Sequence, residues 1–544
     1  MNVKIEPLKE LNKKVKDILV INVYKNGQNN LKKNLKKLLK STDLNFISNI
    51  EKKIKDKEVD LSLYIKIESD NYHIFIKNVL LDDEDYSFLS KRKDINLDIK
   101  KYNTSEYQND KYIDNNLTMG RIIDIIRIKG SHCYKDLESN KLSDVNICMV
   151  SDFTDEINGK LNNAFVEGLI LSSYKFNKYK TDGSQKQIKL KCYLIFPNIV
   201  EKRFALIKKD CIKLLNKIET IFLAQNLINE PGLELSSKKF IQITKSFITS
   251  NKLPLYVEVF DKSKLKKMGM NLLVSVGEGS KPDYQSKLMM IHYNPKNKGA
   301  KCSNPDFVLI GKGVTFDTGG YTLKIGDDTY EMKYDMAGAA VITGFILGHS
   351  KIEGESSVVC MVPLAENAIN GPNATKPGDI IKSHSGKTVE IIDTDAEGRL
   401  LMADCLSYAN NKFPKSTIID FATLTGSQYE FSCKMFANAI SRNIDLLRKI
   451  SYVSNYIQEK IIYIPYLEEF KEYIESDSAD IRNISTKSCS SGMITSSVFL
   501  GQFIDNDKNW VHVDFAGPSW YNNKEYYPKE GNAFGIRFLY EFIN

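Results

Sequence analysis

The sequence predicts a two-domain α/β protein, and three observations carry that reading. At 544 residues the chain is too long for a single hydrophobic core. Beyond about residue 200, helical patterns alternate with short apolar extended runs, the signature of an α/β domain around a largely buried sheet. Composition is that of an ordinary globular chain, with 42% apolar residues and no apolar run long enough to span a bilayer.

In order along the chain, residues 18–23, 61–67, 73–76, 146–150 and 189–196 read as strands, and 31–39 and 160–171 as helices. The Asn- and Lys-rich segments 102–116 and 174–187 read as surface loops or insertions. A long amphipathic helix follows over 201–227, with Leu206, Ile212, Leu215, Ile218, Phe222 and Leu223 among its apolar positions. It ends at the turn signal Asn229-Glu230-Pro231-Gly232. The predicted organisation is therefore a front domain over 1–200, a connecting helix over 201–230 and a second domain over 231–544. Strands of the second domain are expected at 288–293, 307–310, 357–362, 389–392, 417–421 and 510–515.

Charge is uneven. Residues 1–200 hold 35 basic and 28 acidic side chains, while 201–544 hold 41 and 40, so the surplus lies in the front part. Acids interleave those lysines and no nucleic-acid-reading motif occurs, which favours a solvated face over a nucleic-acid surface. The start, MNVKIEPLKELNKKVKDI, is charged throughout and lacks the apolar stretch of a secretory signal. Nine dispersed cysteines without a CxxC argue for reduced thiols, and a cytoplasmic location is expected. The six histidines include no HExxH, which excludes a zincin-type site, and His292, His384 and His512 are read as structural.

Chemistry concentrates in two stretches. In Asp393-Thr394-Asp395-Ala396-Glu397-Gly398-Arg399-Leu400, an extended run over 388–392 leads through a sharp turn at Gly398 into a helix with apolar Leu400, Ala403, Leu406 and Ala409. On an extended backbone Asp395 and Glu397 would point to one side, and two carboxylates converging beside a helix start call for a cation, for which a divalent metal suffices. The second stretch runs from the strand 307–310 through Gly311-Lys312-Gly313-Val314-Thr315-Phe316-Asp317-Thr318-Gly319-Gly320 to Lys324, then a polar loop, then Tyr334-Asp335-Met336-Ala337-Gly338 opening a helix. Alone, Asp335 reads as that helix's N-cap and the glycines as a turn.

Together these motifs resemble the M17 metallopeptidases, the leucyl or cytosol aminopeptidases. GKGVTFDTGG, Lys324 seven positions past Asp317, YDMAGAA and DTDAEGRL stand in the family's order and spacing, and AQNLINEP, MGMNLLVSVGEGS, KPGDIIKSHSGKTV, DFATLTG and HVDFAGPSW support them over about residues 200–544. The resemblance implies a macro-like α/β front domain and an α/β metallopeptidase domain with a mixed central sheet. It implies two divalent ions per subunit, Zn or Mn first, Mg or Co next, with Asp317 and Glu397 touching both, Asp395 completing one site, and Lys312 and Asp335 the other. A ligating amine must be neutral, so a strongly lowered Lys312 pKa is expected.

The same resemblance implies that an ion-held hydroxide attacks the peptide bond, that Lys324 stabilises the oxyanion, and that Arg399 holds a bicarbonate as proton shuttle. It assigns the first side-chain pocket to Met332 and the loop 422–426, favouring leucine-like residues at the peptide's amino end, and has backbone groups of Thr423, Leu424 and Gly426 align the peptide. A homohexamer of paired trimers is implied, with peptides as partners and neither membrane nor nucleic acid among them. Asp393 stands where the family has Asn; it either faces the metals, altering their binding, or pairs with backbone or a lysine and does little. The other readings are a two-metal phosphoesterase, against which Lys312 and the ATLTG loop speak, and an inactive scaffold or nucleic-acid-binding member of the fold, against which the complete ligand set speaks.

Overall fold

The computed structural model of the chain describes residues 3–8, 17–25, 65–68, 73–81, 85, 110–141, 144–150, 155–182, 190–195, 201–487, 491–505, 507–521 and 524–543. It divides into two compact units, Met1–Ile218 with Lys524–Pro528, and Glu219–Asn523 with Lys529–Asn544. The helix Glu201–Asn229 runs through that division without a break.

The first unit is built on a six-stranded mixed sheet. Its strands are β1 (Val3–Leu8), β2 (Asp17–Lys25), β3 (Ile65–Glu68), β4 (His73–Leu81), β5 (Asp144–Val150) and β6 (Leu190–Ile195). The order is β1-β6-β5-β2-β4-β3, parallel throughout except for the antiparallel β3–β4 pair at one edge. Two helices, Asp110–Ser139 and Asp155–Leu171, pack together, burying Ile122, Ile126, Cys133, Phe165 and Leu169. Their backbones touch: a Cβ on Gly130 would lie 2.0 Å from the Phe165 carbonyl oxygen, so only glycine fits there. The expected loop over 102–116 is corrected in part. Residues 110–116 begin the 30-residue helix, because Ile113, Leu117 and the apolar positions after them keep a helical spacing that the Asn and Lys content conceals. The expected helix over 31–39 lies outside the described residues.

The second unit carries a nine-stranded mixed sheet. Its strands are β7 (Tyr256–Phe260), β8 (Lys287–Tyr293), β9 (Phe307–Gly311), β10 (Gly313–Asp317), β11 (Val358–Asn367), β14 (Thr417–Ala422), β15 (Ala437–Ser441), β16 (Ile461–Pro465) and β18 (Trp510–Asp514). A separate small sheet holds β12 (Ile380–Lys382), β13 (Thr388–Glu390) and β17 (Ile481–Arg482). The large sheet runs β16-β15-β18-β14-β9-β11-β8-β7, with β10 added beside the far half of β11. Its core strands β18, β14, β9 and β11 are parallel and almost continuously apolar, which suits strands covered on both faces.

Of the expected strands, 389–392 belongs to the small sheet, since β13 pairs with β12 and β17. Strands β1, β7, β10, β12, β15, β16 and β17 go beyond those read from the sequence. Seven cysteines among the described residues are free thiols, six of them buried and Cys433 exposed. Among the described residues no helix is long and apolar enough to cross a membrane.

Candidate metal centre

The site forms just past the end of β9, where the chain leaves β14 and continues as β10 beside β11. Between β9 and β10 stands Lys312, whose N–H donates to the Phe421 carbonyl of β14 at 2.9 Å and whose carbonyl accepts from the Ala339 N–H at 2.8 Å. Fixed at both peptide groups, Lys312 sends its side chain into the gap beyond the sheet, the usual place for a site in an open α/β sheet. Its Nζ lies 2.8 Å from Asp335 Oδ1 and 3.1 Å from Glu397 Oε1, and donates to the Thr423 carbonyl at 3.1 Å. Gly398 makes room for it, since a Cβ there would sit 2.3 Å from Lys312 Cε. The expected sharp turn at Gly398 is thereby corrected: the residue is the first of the helix Gly398–Lys412, and its value is the space it leaves for the amine.

Asp317, Asp335 and Glu397 are buried, each with a carboxylate oxygen within 4.8 Å of the others. Asp335 is not an N-cap. It is the penultimate residue of a 3-10 helix, Asp327–Met336, just ahead of the helix Ala337–Lys351, and its Oδ1 accepts from the Thr423 hydroxyl at 2.7 Å. Asp395 and Glu397 meet the site from a turn rather than from an extended run. Asp395 stands at the outer edge, 30% exposed, and Lys324 links it to the trio with Nζ 2.6 Å from Asp395 Oδ1 and 2.9 Å from Asp317 Oδ2. All five expected ligands and Lys324 thus converge.

Arg399, buried on the first turn of its helix, donates from Nη1 to the Asn483 carbonyl at 2.8 Å, while its Nε has no partner. Asp393 directs its carboxylate to the Asp395 N–H at 2.8 Å, which selects the backbone-pairing alternative for this residue.

Electrostatics describe a site short of positive charge. Four carboxylates face two ammonium groups. Burial, then Asp317 and Glu397, push the Asp395 carboxyl up to about 7 against the pull of Lys324. Burial likewise raises Asp335 and Glu397. The lowering expected of Lys312 is that of a metal-bound amine; among the side chains alone, burial pushes the amine down, but Asp335, Glu397 and Asp317 outweigh it and hold the proton above the ordinary value. A divalent cation among those acids would reverse the sign of that field. Burial pushes Arg399 down to about 10 despite Glu397 and Asp393.

Two buried carboxylate oxygens, Asp335 Oδ2 and Glu397 Oε2, have no donor. Such atoms are costly unless a cation meets them. An oxygen-rich set with one amine fits a divalent metal of the Zn, Mn, Mg or Co group.

Beyond β14, the segment 423–426 is held from behind by Asp514, which accepts from the Leu424 N–H at 3.1 Å and the Thr425 hydroxyl at 2.7 Å. Met332, half-buried, lies on the 3-10 helix one turn before Asp335. Sequence reading missed four supports: Asn367, Thr394, Asn483 and Asp514. Each acts through a single polar contact pattern that no periodicity announces. The three histidines are structural, His512 pairing with Asp420 at 2.5 Å, His292 with Glu258 at 3.2 Å and His384 with Ser407 at 2.8 Å.

The sequence profile of the Cytosol aminopeptidase family, catalytic domain (Peptidase_M17), matches residues 222–540, which includes every residue of this centre. The chain belongs to that family. It is accordingly a metal-dependent aminopeptidase, a hydrolase acting at the amino ends of peptides. A probable cytosol aminopeptidase of Clostridium perfringens is 39% identical over 388 residues, covering 70% of this chain and 75% of the relative. One from Ehrlichia ruminantium is 34% identical over 418 residues, 76% of this chain and 80% of the relative.

Among solved structures, a tomato leucine aminopeptidase mutant superposes with a TM-score of 0.74 at 21% identity, over 99% of this chain and 96% of that one. The bottromycin maturation enzyme BotP in complex with Mn gives 0.73 at 20% identity, over 97% and 99%. At these identities the likeness concerns the fold alone.

Proposed function

We propose that this aminopeptidase uses two divalent cations per subunit, Zn or Mn in first place, to release leucine-like residues from the amino ends of peptides in the cytoplasm. The observation that carries the reading is the buried acid cluster with two lysines inside it and two carboxylate oxygens left without a donor. Lys312, Asp335, Glu397 and Asp317 would hold one cation, and Asp317, Asp395 and Glu397 the other. When bound, the pair supplies Lewis acidity toward the scissile carbonyl and acidifies the attacking water.

The chain's own groups do the rest. Lys324, on the more open side, directs an ammonium toward the carbonyl oxygen as negative charge develops on it. Arg399, with a buried Nε lacking a partner at a helix start, suits a small anion such as bicarbonate, which would carry the proton from water to the leaving amine. Met332 and the loop 422–426 would receive the first side chain, and backbone groups of Thr423, Leu424 and Gly426 would align the peptide. The Leu424 N–H already donates to Asp514, so that residue offers the peptide its carbonyl.

A homohexamer of paired trimers acting on peptides is part of the same reading, to be read by sedimentation velocity. The decisive assay measures aminoacyl-coumarin hydrolysis by the metal-stripped protein with each cation restored in turn. Leucine and methionine substrates should lead a panel that includes aspartyl and prolyl ones, and an even response across the panel would end the pocket assignment.

A further inference from the structure

Asn367 ends β11 in register with Asp317 at the end of β10, and it is buried. Its Nδ2 donates to Asp317 Oδ1 at 2.8 Å and to the Thr394 carbonyl at 3.1 Å. Both partners are acceptors, so the amide orientation is fixed by its surroundings. The Asn367 carbonyl accepts from the Thr318 N–H at 3.1 Å and from the Thr318 hydroxyl at 2.7 Å. Thr394 completes the circuit by donating its hydroxyl to the Gly319 carbonyl at 2.7 Å. One residue therefore touches both the loop that carries Asp317 and the turn that carries Asp395 and Glu397.

The consequence falls on Asp317. Its Oδ1 also accepts the Gly319 N–H at 2.9 Å, so two N–H donors fill the two lone pairs of that oxygen. Only Oδ2 remains open, on the side of Lys324.

We propose that Asn367 is a positioning residue for the cation centre, which occupies Asp317 Oδ1 so that Oδ2 alone serves the cations and which ties together the two acid-bearing segments. The inference rests on the reading of Asp317 as a ligand. An asparagine is suited to the task because a neutral amide gives two coplanar N–H bonds from one atom, whereas an acid would add a fifth carboxylate to a site already short of positive charge. Outer hydrogen bonds to ligands are typically worth about 10- to 100-fold in metal affinity.

The test is calorimetric titration of the metal-stripped full chain with Mn²⁺, comparing the parent with Asn367→Leu, which fills the space without a donor, and Asn367→Ala, which avoids overpacking. Both variants should bind about 10- to 100-fold more weakly with unchanged stoichiometry, a loss larger than any fall in metal-free melting temperature accounts for, and excess Mn²⁺ should restore most of their turnover. Binding within twofold of the parent in either variant overturns the inference. So does a loss of affinity that tracks melting temperature, which would mark a purely structural role. A parent chain that takes up no Mn²⁺ overturns the metal reading itself, and this inference with it.

Discussion

The two ends of the acid cluster differ in how far water reaches them. At the inner end, the side chains of Lys312, Asp335 and Glu397 are 3–6% exposed and the amine is also held by the Thr423 carbonyl. At the outer end, Lys324 and Asp395 are 24% and 30% exposed and hang from a loop and a turn. Coulomb interactions weaken with solvent access, so the same charges bind a cation more tightly inside than outside. On the two-cation reading, the deep position would suit a resident ion and the shallow one, beside Lys324, an exchangeable ion.

The strongest way to break this division is Asp335→Ala at the inner end. It should remove one cation per subunit and lower turnover about a thousandfold; two cations by elemental analysis would contradict the assignment. Next, Lys324→Ala at the outer end should lower turnover about a hundredfold with cation content intact, and unchanged turnover would take Lys324 out of the reaction. Exchange sharpens the contrast further. Dialysis against a weak chelator should remove one equivalent of cation at least about tenfold faster than the other, whereas simultaneous loss would erase the distinction.

Asp404, two turns along the helix from Glu397, provides a control: a buried acid held by backbone N–H groups of Leu273 and His384 rather than by cations. Burial pushes it up to about 7 against those donors. Its folded pKa exceeds the unfolded value near 4, so the unfolded chain releases this proton first and the group's contribution to stability declines as pH rises from about 4 to about 7. Unfolding midpoints of Asp404→Asn should therefore fall less steeply over that window than those of the parent. The smallest effect is expected of Asp393→Asn. An asparagine oxygen can accept the Asp395 N–H as the acid does, and kcat/KM should stay within about twofold.

The sequence made the chemistry more legible than the scaffold. Lys312, Asp317, Lys324, Asp335, Asp395, Glu397 and Arg399 could be named because their motifs are dense in chemistry-bearing types, and the structure brings all but Arg399 into one connected cluster. Local conformation was harder. Asp335 in isolation looked like a cap because it stands just before the helix Ala337–Lys351 and the 3-10 helix that contains it has no pattern of its own, and Gly398 looked like a turn because close approach by a lysine is a tertiary fact. Strands β10 (GVTFD) and β15 (ANAIS) break their apolar positions with Gly, Thr, Asn or Ser, so they lack the apolar run that announces β9 at the same length. Asn367 and Asn483 carried no signal, since a buried amide becomes visible only when its partners are known.

Cation counting coupled to activity tests the two-cation centre most directly. Metal-stripped protein should show no detectable hydrolysis of leucyl-coumarin, and stepwise addition of Mn²⁺ should restore it with an end point at two equivalents per subunit. Hydrolysis that survives stripping, or an end point at one equivalent, would contradict it.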